Sequence, residues 1–269
     1  MQSQKVIIIG NSASGIDLTA QLSRVAKLPV IISEKEKQVG LEPPSNTNST
    51  VHLPEITQFQ AEGRTIHFAN GNIETEVDAV IFCTGFHYSY PFLESLEPGI
   101  IDPRGGYVKH LWENMLYTAD PTLAFLSVPQ RGIPFPLVET QSAVISRIWS
   151  GRLSPPSEDE MESWVKEEHF QKGEGKPIHM INFPEDVKYM ERLYDLSATA
   201  VRAPELGLEN GGDGKRPPRW DPQQVWIRGK VGEIKQASRL AGDRRLNITS
   251  HEELGFFYEP NENGESGTA

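Results

Sequence analysis

The sequence contains a single cysteine, Cys83, among 269 residues. One cysteine excludes an internal disulfide framework and fits a reducing compartment. No apolar run approaches the roughly 20 residues that a membrane-spanning helix needs, and the first residues have no apolar segment typical of a secretory signal peptide. We therefore expect a soluble, cytoplasmic protein without a membrane span.

Basic side chains are also in deficit. The chain has 26 Lys and Arg against 37 Asp and Glu, which gives a formal net charge of −11. Nucleic-acid-binding proteins concentrate Lys and Arg on one face, and a basic excess is missing here. The same charge disfavours an anionic membrane surface. The composition therefore argues against nucleic acid and lipid as partners.

The beginning of the sequence has the pattern of a β-α-β unit. Lys5–Ile9 is a continuous apolar run that ends at Gly10, which is typical of a buried parallel strand. Helical apolar spacing follows over Ser14–Ala26, and Pro29 is expected to end that helix. Val30–Ile32 then forms a second buried strand. This order predicts an α/β, Rossmann-like nucleotide-binding fold.

The loop between the first strand and the helix carries the clearest chemical signal. It reads Gly10, Asn11, Ser12, Ala13, Ser14, Gly15. Gly10 permits a tight turn, Ser12 is small enough for close backbone approach, and Gly15 lets the helix pack on the strand. Free backbone N–H groups at the helix start then favour a diphosphate. The alternative interpretation is an ordinary tight turn.

The residues after the second strand should read the adenosine ribose of a bound dinucleotide. The candidates are Ser33, Glu34, Lys35 and Lys37. Glu34 by itself would indicate NAD through the ribose hydroxyls, whereas Lys35 and Lys37 would pair with a 2′-phosphate. The spacing does not decide between these alternatives.

The rest of the chain contains recognisable strand and helix patterns. Asn70-Gly71 between two alternating segments predicts a β-hairpin in which both turn residues have positive φ. Ser157 and Glu160 form the pattern of a capping box before a helix. The other predictions are a polar loop at 38–50, strands at 56–59, 65–68, 73–76, 77–83 (central in the parallel sheet) and 123–128, helices from 136 to 149, from 184 and from 222 to 239, and a disordered tail at 261–269.

Three segments in this order resemble the flavin-containing monooxygenases, most closely their fungal branch. They are GNSASG after KVIII, VDAVIFCTGFHYSYPFL at 77–93, and DPTLAFLSVPQRGIPFPLVETQSAVISRIWSGRL at 120–153. The loop resembles the family's NADPH fingerprint, and CTGF at 83–86 resembles its threonine-glycine signature. The resemblance extends over roughly residues 5–200.

The resemblance implies a division of the chain. Residues 1–115 would be an NADPH-binding domain with a β-hairpin insertion, 116–153 the return segment of an incomplete FAD-binding domain, 154–240 a helical region and 241–269 a flexible tail. The loop 10–15, with Ser33 and Lys35, would bind NADP(H). Thr84 and Gly85 would lie at the crossover between domains. Pro134, Phe135, Pro136 and Gln141 resemble the segment that faces the flavin.

The resemblance also implies the chemistry. In the family, NADPH reduces FAD, and a flavin hydroperoxide then oxygenates a soft nitrogen or sulfur nucleophile of a small molecule. The family's first glycine fingerprint, which binds FAD, is not found in this sequence. Two hypotheses follow: a fragment or split form of the monooxygenase, or a non-catalytic NADP-binding module or decayed remnant.

Other side chains give weaker signals. Cys83 ends a hydrophobic strand and is interpreted as an inert thiol, and the histidines have no metal-ligand spacing.

We expect the segment 124–153 to pack against a domain missing from this chain. Its apolar residues, Phe125, Phe135, Ile145 and Trp149, would then lack cover. This predicts self-association or a missing FAD-domain partner.

Overall fold

The structure is a computed structural model that describes residues 3–35 and 49–260. The chain forms two compact units. The first combines Met1–Phe86 with Lys230–Phe257, and the second combines His87–Gly229 with Tyr258–Ala269. The functional domains expected at 1–115, 116–153, 154–240 and 241–269 stay a prediction. The predicted disordered tail at 261–269 lies outside the described residues.

A parallel sheet forms the centre of the first unit. Its strands are β1 (Lys5–Ile9), β2 (Lys27–Ser33), β3 (Thr50–Leu53) and β7 (Ala79–Phe82), in the order β3-β2-β1-β7. Ile8 pairs with a residue of β2 on one side and of β7 on the other, and it is fully buried. The apolar run of β1 therefore occupies the middle of the sheet, as its composition predicts.

Two predictions about this sheet need correction. The strand expected at 77–83 joins the sheet in parallel, but among the described residues it lies at the edge and not in the centre. Strand β3 was not predicted, because residues 38–50 were interpreted as a loop, of which 38–48 lie outside the described part. Its four residues, TVHL, are too few for a periodic signal.

Helix α1 (Ala13–Leu22) connects β1 to β2. It ends four residues earlier than the sequence predicts, and β2 includes Pro29 rather than starting after it. The β1–β2 register shifts between Lys5 and Ile7, next to this proline. Proline has no N–H to donate to a ladder, so strands accommodate it at such irregularities.

A small antiparallel sheet follows in the first unit. It comprises β4 (Ile56–Gln60), β5 (Thr65–Phe68) and β6 (Ile73–Glu74) in sequential order. The predicted Asn70-Gly71 hairpin is present between β5 and β6. Of the two turn residues Gly71 has positive φ, +83°, and Asn70 does not. The Gly71 N–H donates to Phe68 O, so Gly71 closes the turn as its fourth residue instead of occupying its centre.

The second unit is built from helices. They are α2 (Pro134–Trp149), α3 (Glu158–Lys172), α4 (Glu185–Ala198) and the short α5 (Glu209–Gly212), followed by α6 (Pro222–Leu240), whose last part belongs to the first unit. Helices α2 and α4 pack their apolar faces together around Val144 and Leu193, both 0% exposed. The Ser157–Glu160 capping box is present at the start of α3.

The prediction of a strand at 123–128 is wrong, because the structure has no strand there. A two-stranded hairpin, β8 (Leu111–Trp112) and β9 (Leu116–Tyr117), lies beside this segment, but a single isolated bridge joins Leu116 to Ala124. Ser127 has a φ of +63°, which is incompatible with an extended strand.

The four apolar residues of 124–153 that were predicted to be exposed are only partly so. Phe125 and Ile145 are buried by the chain itself, at 7% and 5% exposure. Phe135 and Trp149 are exposed, as expected. Among the described residues, no helix is long and apolar enough to cross a membrane.

Candidate dinucleotide-binding site

The glycine loop is a tight backbone crossing at the carboxyl end of β1. Gly10 has a φ of +99°, and a Cβ at this position would lie 2.4 Å from the carbonyl oxygen of Cys83 at the end of β7. A Cβ on Gly15 would lie 2.1 Å from the carbonyl oxygen of Gly10. Neither position has space for a side chain. The two glycines therefore bring the start of α1 directly against the end of β1.

The first N–H groups of α1 have no partner among the residues that the structure describes. Ser12 is the N-cap residue, its side chain makes no capping hydrogen bond, and its carbonyl accepts from Ile16 N at 2.9 Å. The N–H groups of Ala13, Ser14 and Gly15 precede that first bond, and the first turn carries no acidic side chain. Unpaired N–H groups with the positive end of a helix form an anion-binding surface.

Ala13 and Ser14 are exposed, whereas Asn11 is buried at 8% exposure. The loop therefore offers a backbone surface that an anion can reach, with a polar side chain beneath it. This surface is open to a diphosphate, because Ala13 and Ser14, whose N–H groups begin the helix, are exposed. The sequence predicts this part of the site from local spacing alone.

A polar cluster joins the loop to the next two strands. Asn11 Nδ2 donates to Glu34 Oε2 at 2.9 Å, and His52 Nδ1 lies 2.6 Å from Glu34 Oε1. These residues come from the loop after β1, the end of β2 and strand β3. The carboxyl ends of parallel strands meet at one edge of the sheet, which brings the three side chains together. The sequence indicated Glu34 as a candidate for binding the adenosine ribose, but it did not indicate that His52 would join this cluster.

The other residues predicted to contact the adenosine ribose are placed less favourably for that contact. Ser33 is 2% exposed, and its hydroxyl donates to Pro54 O at 3.0 Å. The Lys35 side chain is 82% exposed, and its Nζ lies 3.5 Å from Glu55 Oε2. Lys37 lies outside the described residues. Ser33 is thus engaged inside the sheet, and the charge of Lys35 is shared with a carboxylate.

Thr84 and Gly85 lie one residue beyond the end of β7 and are exposed. Gly85 has a φ of +85°, with no atom within 4 Å of a Cβ built there. The preceding Cys83 packs against the loop, because a Cβ on Gly15 would contact its Cβ at 3.6 Å. Burial raises the pKa of the Cys83 thiol, so the structure gives this cysteine no activated thiolate.

Gln141 belongs to the second unit and is 0% exposed. Its Oε1 accepts from Ser127 N at 3.1 Å, and its Nε2 donates to Tyr189 Oη at 2.9 Å. Tyr189 Oη in turn donates to the carbonyl of Glu113 at 2.6 Å. Both ends of the amide are used inside the protein, so we leave Gln141 out of the proposed cofactor site.

The fold defines a class: an α/β protein with a parallel sheet, in which a glycine loop connects the first strand to the first helix. A family model, flavin-binding monooxygenase-like, matches residues 47–208. The chain therefore belongs to the flavin-binding monooxygenase-like family.

Curated relatives agree with this assignment. The chain is 36% identical over 159 residues to a thiol-specific monooxygenase of Saccharomyces cerevisiae, which covers 55% of this chain and 35% of the relative. It is 35% identical over 167 residues to the flavin-containing monooxygenase FMO GS-OX4 of Arabidopsis thaliana, covering 60% of this chain and 34% of the relative.

A solved structure has the same fold. The S-allyl-L-cysteine S-oxygenase of Allium sativum superposes with a TM-score of 0.69 at 25% identity, covering 94% of this chain and 53% of that protein. The chain thus spans about a third of the length of the two curated relatives and about half of the solved one.

Proposed function

We propose that this chain is the NADP(H)-binding and C-terminal part of a flavin-containing monooxygenase that oxygenates a soft nitrogen or sulfur nucleophile of a small molecule. One observation carries the proposal. The loop 10–15 presents N–H groups that have no partner among the described residues, at the start of a helix and at the carboxyl end of β1 in a parallel sheet. Family membership supplies the reaction class.

In this proposal the chain's own residues bind and orient the dinucleotide. Gly10 and Gly15 allow the end of β1 and the start of α1 to lie against each other, and the N–H groups of Ala13 and Ser14 donate to the diphosphate. When bound, the reduced nicotinamide supplies a hydride. Thr84 and Gly85 lie just beyond the end of the neighbouring strand β7, and we propose that they border the same bound molecule.

The described residues do not offer a comparable place for FAD. The second glycine-rich stretch, 211–214, forms a turn at α5, where a Cβ on Gly212 would lie 2.5 Å from Pro204 N. Within it Asp213 is bound by Arg202 at 3.0 Å and by Arg216 at 2.7 Å. No strand–loop–helix unit with free N–H groups is present there, so we derive no catalytic step through FAD from these residues.

A second candidate function follows from that contrast. A dinucleotide loop without a matching flavin loop in the described residues favours a binding module that senses NADP(H) without oxygenation. Adding FAD and NADPH to the purified chain and recording oxygen uptake separates the two functions. Flavin-dependent oxygen uptake supports the monooxygenase, whereas NADPH binding without oxygen uptake supports the module.

Direct titration of NADPH into the purified chain tests the dinucleotide site itself. Ser14→Glu would place a carboxylate where the diphosphate would lie, and it should weaken NADPH binding about tenfold or more. The fold should survive, because an acidic residue in the first helical turn is stabilising. Gln58→Glu, on exposed β4, adds the same charge outside the loop and should leave binding unchanged. No binding by the wild-type chain would refute the proposal.

A further inference from the structure

The segment Lys230–Phe257, which belongs to the first unit, forms an open cavity of about 440 Å³. Its wall consists of the last turns of α6, the 3₁₀ helix Gly242–Asn247 and the residues that follow it. This volume lies within the range of about 300–1,000 Å³ that small-molecule pockets occupy. We call the cavity the C-terminal pocket, and its lining includes three basic and three aliphatic side chains: Lys235, Arg239, Arg245, Ile234, Ile248 and Leu254.

The three cations of the C-terminal pocket come from two elements. Lys235 and Arg239 are four residues apart on α6 and therefore lie on one face of the helix, whereas Arg245 comes from the 3₁₀ helix. Both arginines are partly buried. With the residues that the structure describes, none of the three charged groups forms an ion pair or a hydrogen bond. Uncompensated positive charge thus converges on this pocket in a chain whose formal net charge is −11.

The acidic side chains of the same segment are engaged elsewhere. Each of the four has a partner other than the three pocket cations: Glu233 with Lys230 at 2.9 Å, Asp243 with Arg24 at 2.8 Å, Glu252 with His251 at 3.4 Å, and Glu253 with the Thr249 hydroxyl at 2.9 Å. Among the described residues, no carboxylate lines the pocket. The charge of the three cations is therefore available to a ligand.

We infer that the C-terminal pocket binds a phosphate monoester of a small molecule with an apolar body. The planar guanidinium groups of Arg239 and Arg245 match phosphate oxygens in a two-pronged geometry, and Lys235 adds a point charge. A phosphate monoester carries about −1.5 to −2 charges at neutral pH, which three cations compensate better than the single charge of a carboxylate. The inference concerns a site outside the glycine loop and does not depend on dinucleotide binding.

The other side of the lining determines what carries the phosphate. Ile234, Ile248 and Leu254 present aliphatic surface in the same cavity. Apolar surface gains free energy when it is removed from water, so an apolar group attached to the phosphate is favoured over a bare inorganic ion. Ser238, on α6 next to Arg239, adds a neutral hydroxyl donor to the lining.

Isothermal titration of the full chain with phenyl phosphate, phenol and inorganic phosphate tests the inference. Phenyl phosphate carries both the charge and an apolar ring. We expect it to bind about tenfold or more tightly than phenol, which lacks the charge. We also expect it to bind severalfold more tightly than inorganic phosphate, which lacks the ring.

Substitutions locate the site. Arg239→Gln and Arg245→Gln each remove one pocket cation and should each weaken phenyl phosphate binding about tenfold. Arg244→Gln is the matched control, because it removes the same charge from an adjacent, exposed residue that does not line the pocket. It should leave the affinity nearly unchanged, since exposed charges are screened by salt. Circular dichroism confirms that each variant is folded, and the two pocket variants test the site independently.

The outcomes are distinct. Binding that weakens in both pocket variants and persists in Arg244→Gln supports the inference. Absence of phenyl phosphate binding, or binding that neither pocket variant weakens, overturns it, because any bound phosphate then lies elsewhere on the chain. Affinity equal to that of inorganic phosphate overturns the assigned ligand class. Sedimentation with vesicles that contain phosphatidic acid, without binding of soluble phenyl phosphate, assigns the cations to a lipid surface and also overturns the inference. The NADPH titration tests the proposed function separately from all of these results.

Discussion

The Cα of Gly15 lies so close to the carbonyl of Gly10 that a Cβ there would be 2.1 Å from the Gly10 oxygen. The obstacle is backbone, which cannot rotate away as a flexible side chain can. This contact joins the end of β1 to the start of α1, and it fixes the direction of the helix N–H groups.

Gly15→Ala should therefore destabilise the first unit. Inserting a methyl group against fixed backbone costs about 1–3 kcal/mol or more, measurable as a lower urea midpoint. Gly232→Ala is the matched control, because nothing lies within 4 Å of a Cβ there. As an exposed helical position it should gain up to about 1 kcal/mol. Equal midpoints for the two variants would contradict the close contact.

Stability should depend on pH through His179. Burial lowers the pKa of His179 from 6.5 to about 4. The ring donates to Asn114 Oδ1 at 2.6 Å and accepts from Val108 N at 2.9 Å, which requires the neutral form. The unfolded chain takes up the proton first as pH falls. The stabilisation of the folded state by neutral His179 is therefore complete above about pH 6.5. It is lost progressively as the pH falls to about 4.

Across this pH window, protonation of His179 should lower the free energy of unfolding by on the order of 3 kcal/mol. Urea unfolding at intervals between pH 7 and pH 4 measures it. His179→Gln removes the titrating group, so its profile over this window should be flatter than that of the wild type. A wild-type profile equally flat would show that the buried imidazole does not control acid stability.

The ion pair between Arg228 and Asp186 should stabilise the second unit. Arg228 Nε donates to Asp186 Oδ2 at 2.6 Å, and the two side chains are 10% and 0% exposed. Arg228→Ala leaves a buried carboxylate without its cation, which costs about 3–5 kcal/mol. Lys188→Ala breaks an exposed pair with Glu185 and should cost less than about 1 kcal/mol. Thermal melts of both variants give the comparison.

Gln141 should act on stability and not on dinucleotide binding. Gln141→Ala leaves Ser127 N and Tyr189 Oη without one partner each inside the protein. Leaving buried polar groups unpaired costs about 1–3 kcal/mol, visible as a lower melting temperature. The affinity for NADPH should stay at the wild-type value. A loss of affinity at unchanged stability would return Gln141 to the cofactor site.

The glycine loop shows how far local sequence signals reach. An apolar run, a glycine and a helical pattern follow one another within twenty residues, so the βαβ unit and its loop can be predicted without knowing the rest of the fold. The capping box at Ser157 is predictable for the same reason, because its hydrogen bonds join residues three apart. These elements depend on interactions between neighbours in the chain.

Contacts between distant residues were not predictable in this way. The pairing of His52 with Glu34 exists because β3 lies beside β2 in the sheet. The burial of Gln141 depends on Tyr189 of α4, 48 residues away in the sequence. The segment at 123–128 has strand-forming residues, but the left-handed backbone at Ser127 prevents a strand.

The sequence by itself determined the local units: the apolar strand β1, the capping box at Ser157 and the glycine loop between β1 and α1. The tertiary structure decided which of these units became neighbours. It placed Glu34 beside the loop, Ser33 inside the sheet and Gln141 in the helical core. The physical reason is that backbone propensities and caps act over a few residues, whereas burial and side-chain pairing depend on packing between elements that are remote in sequence.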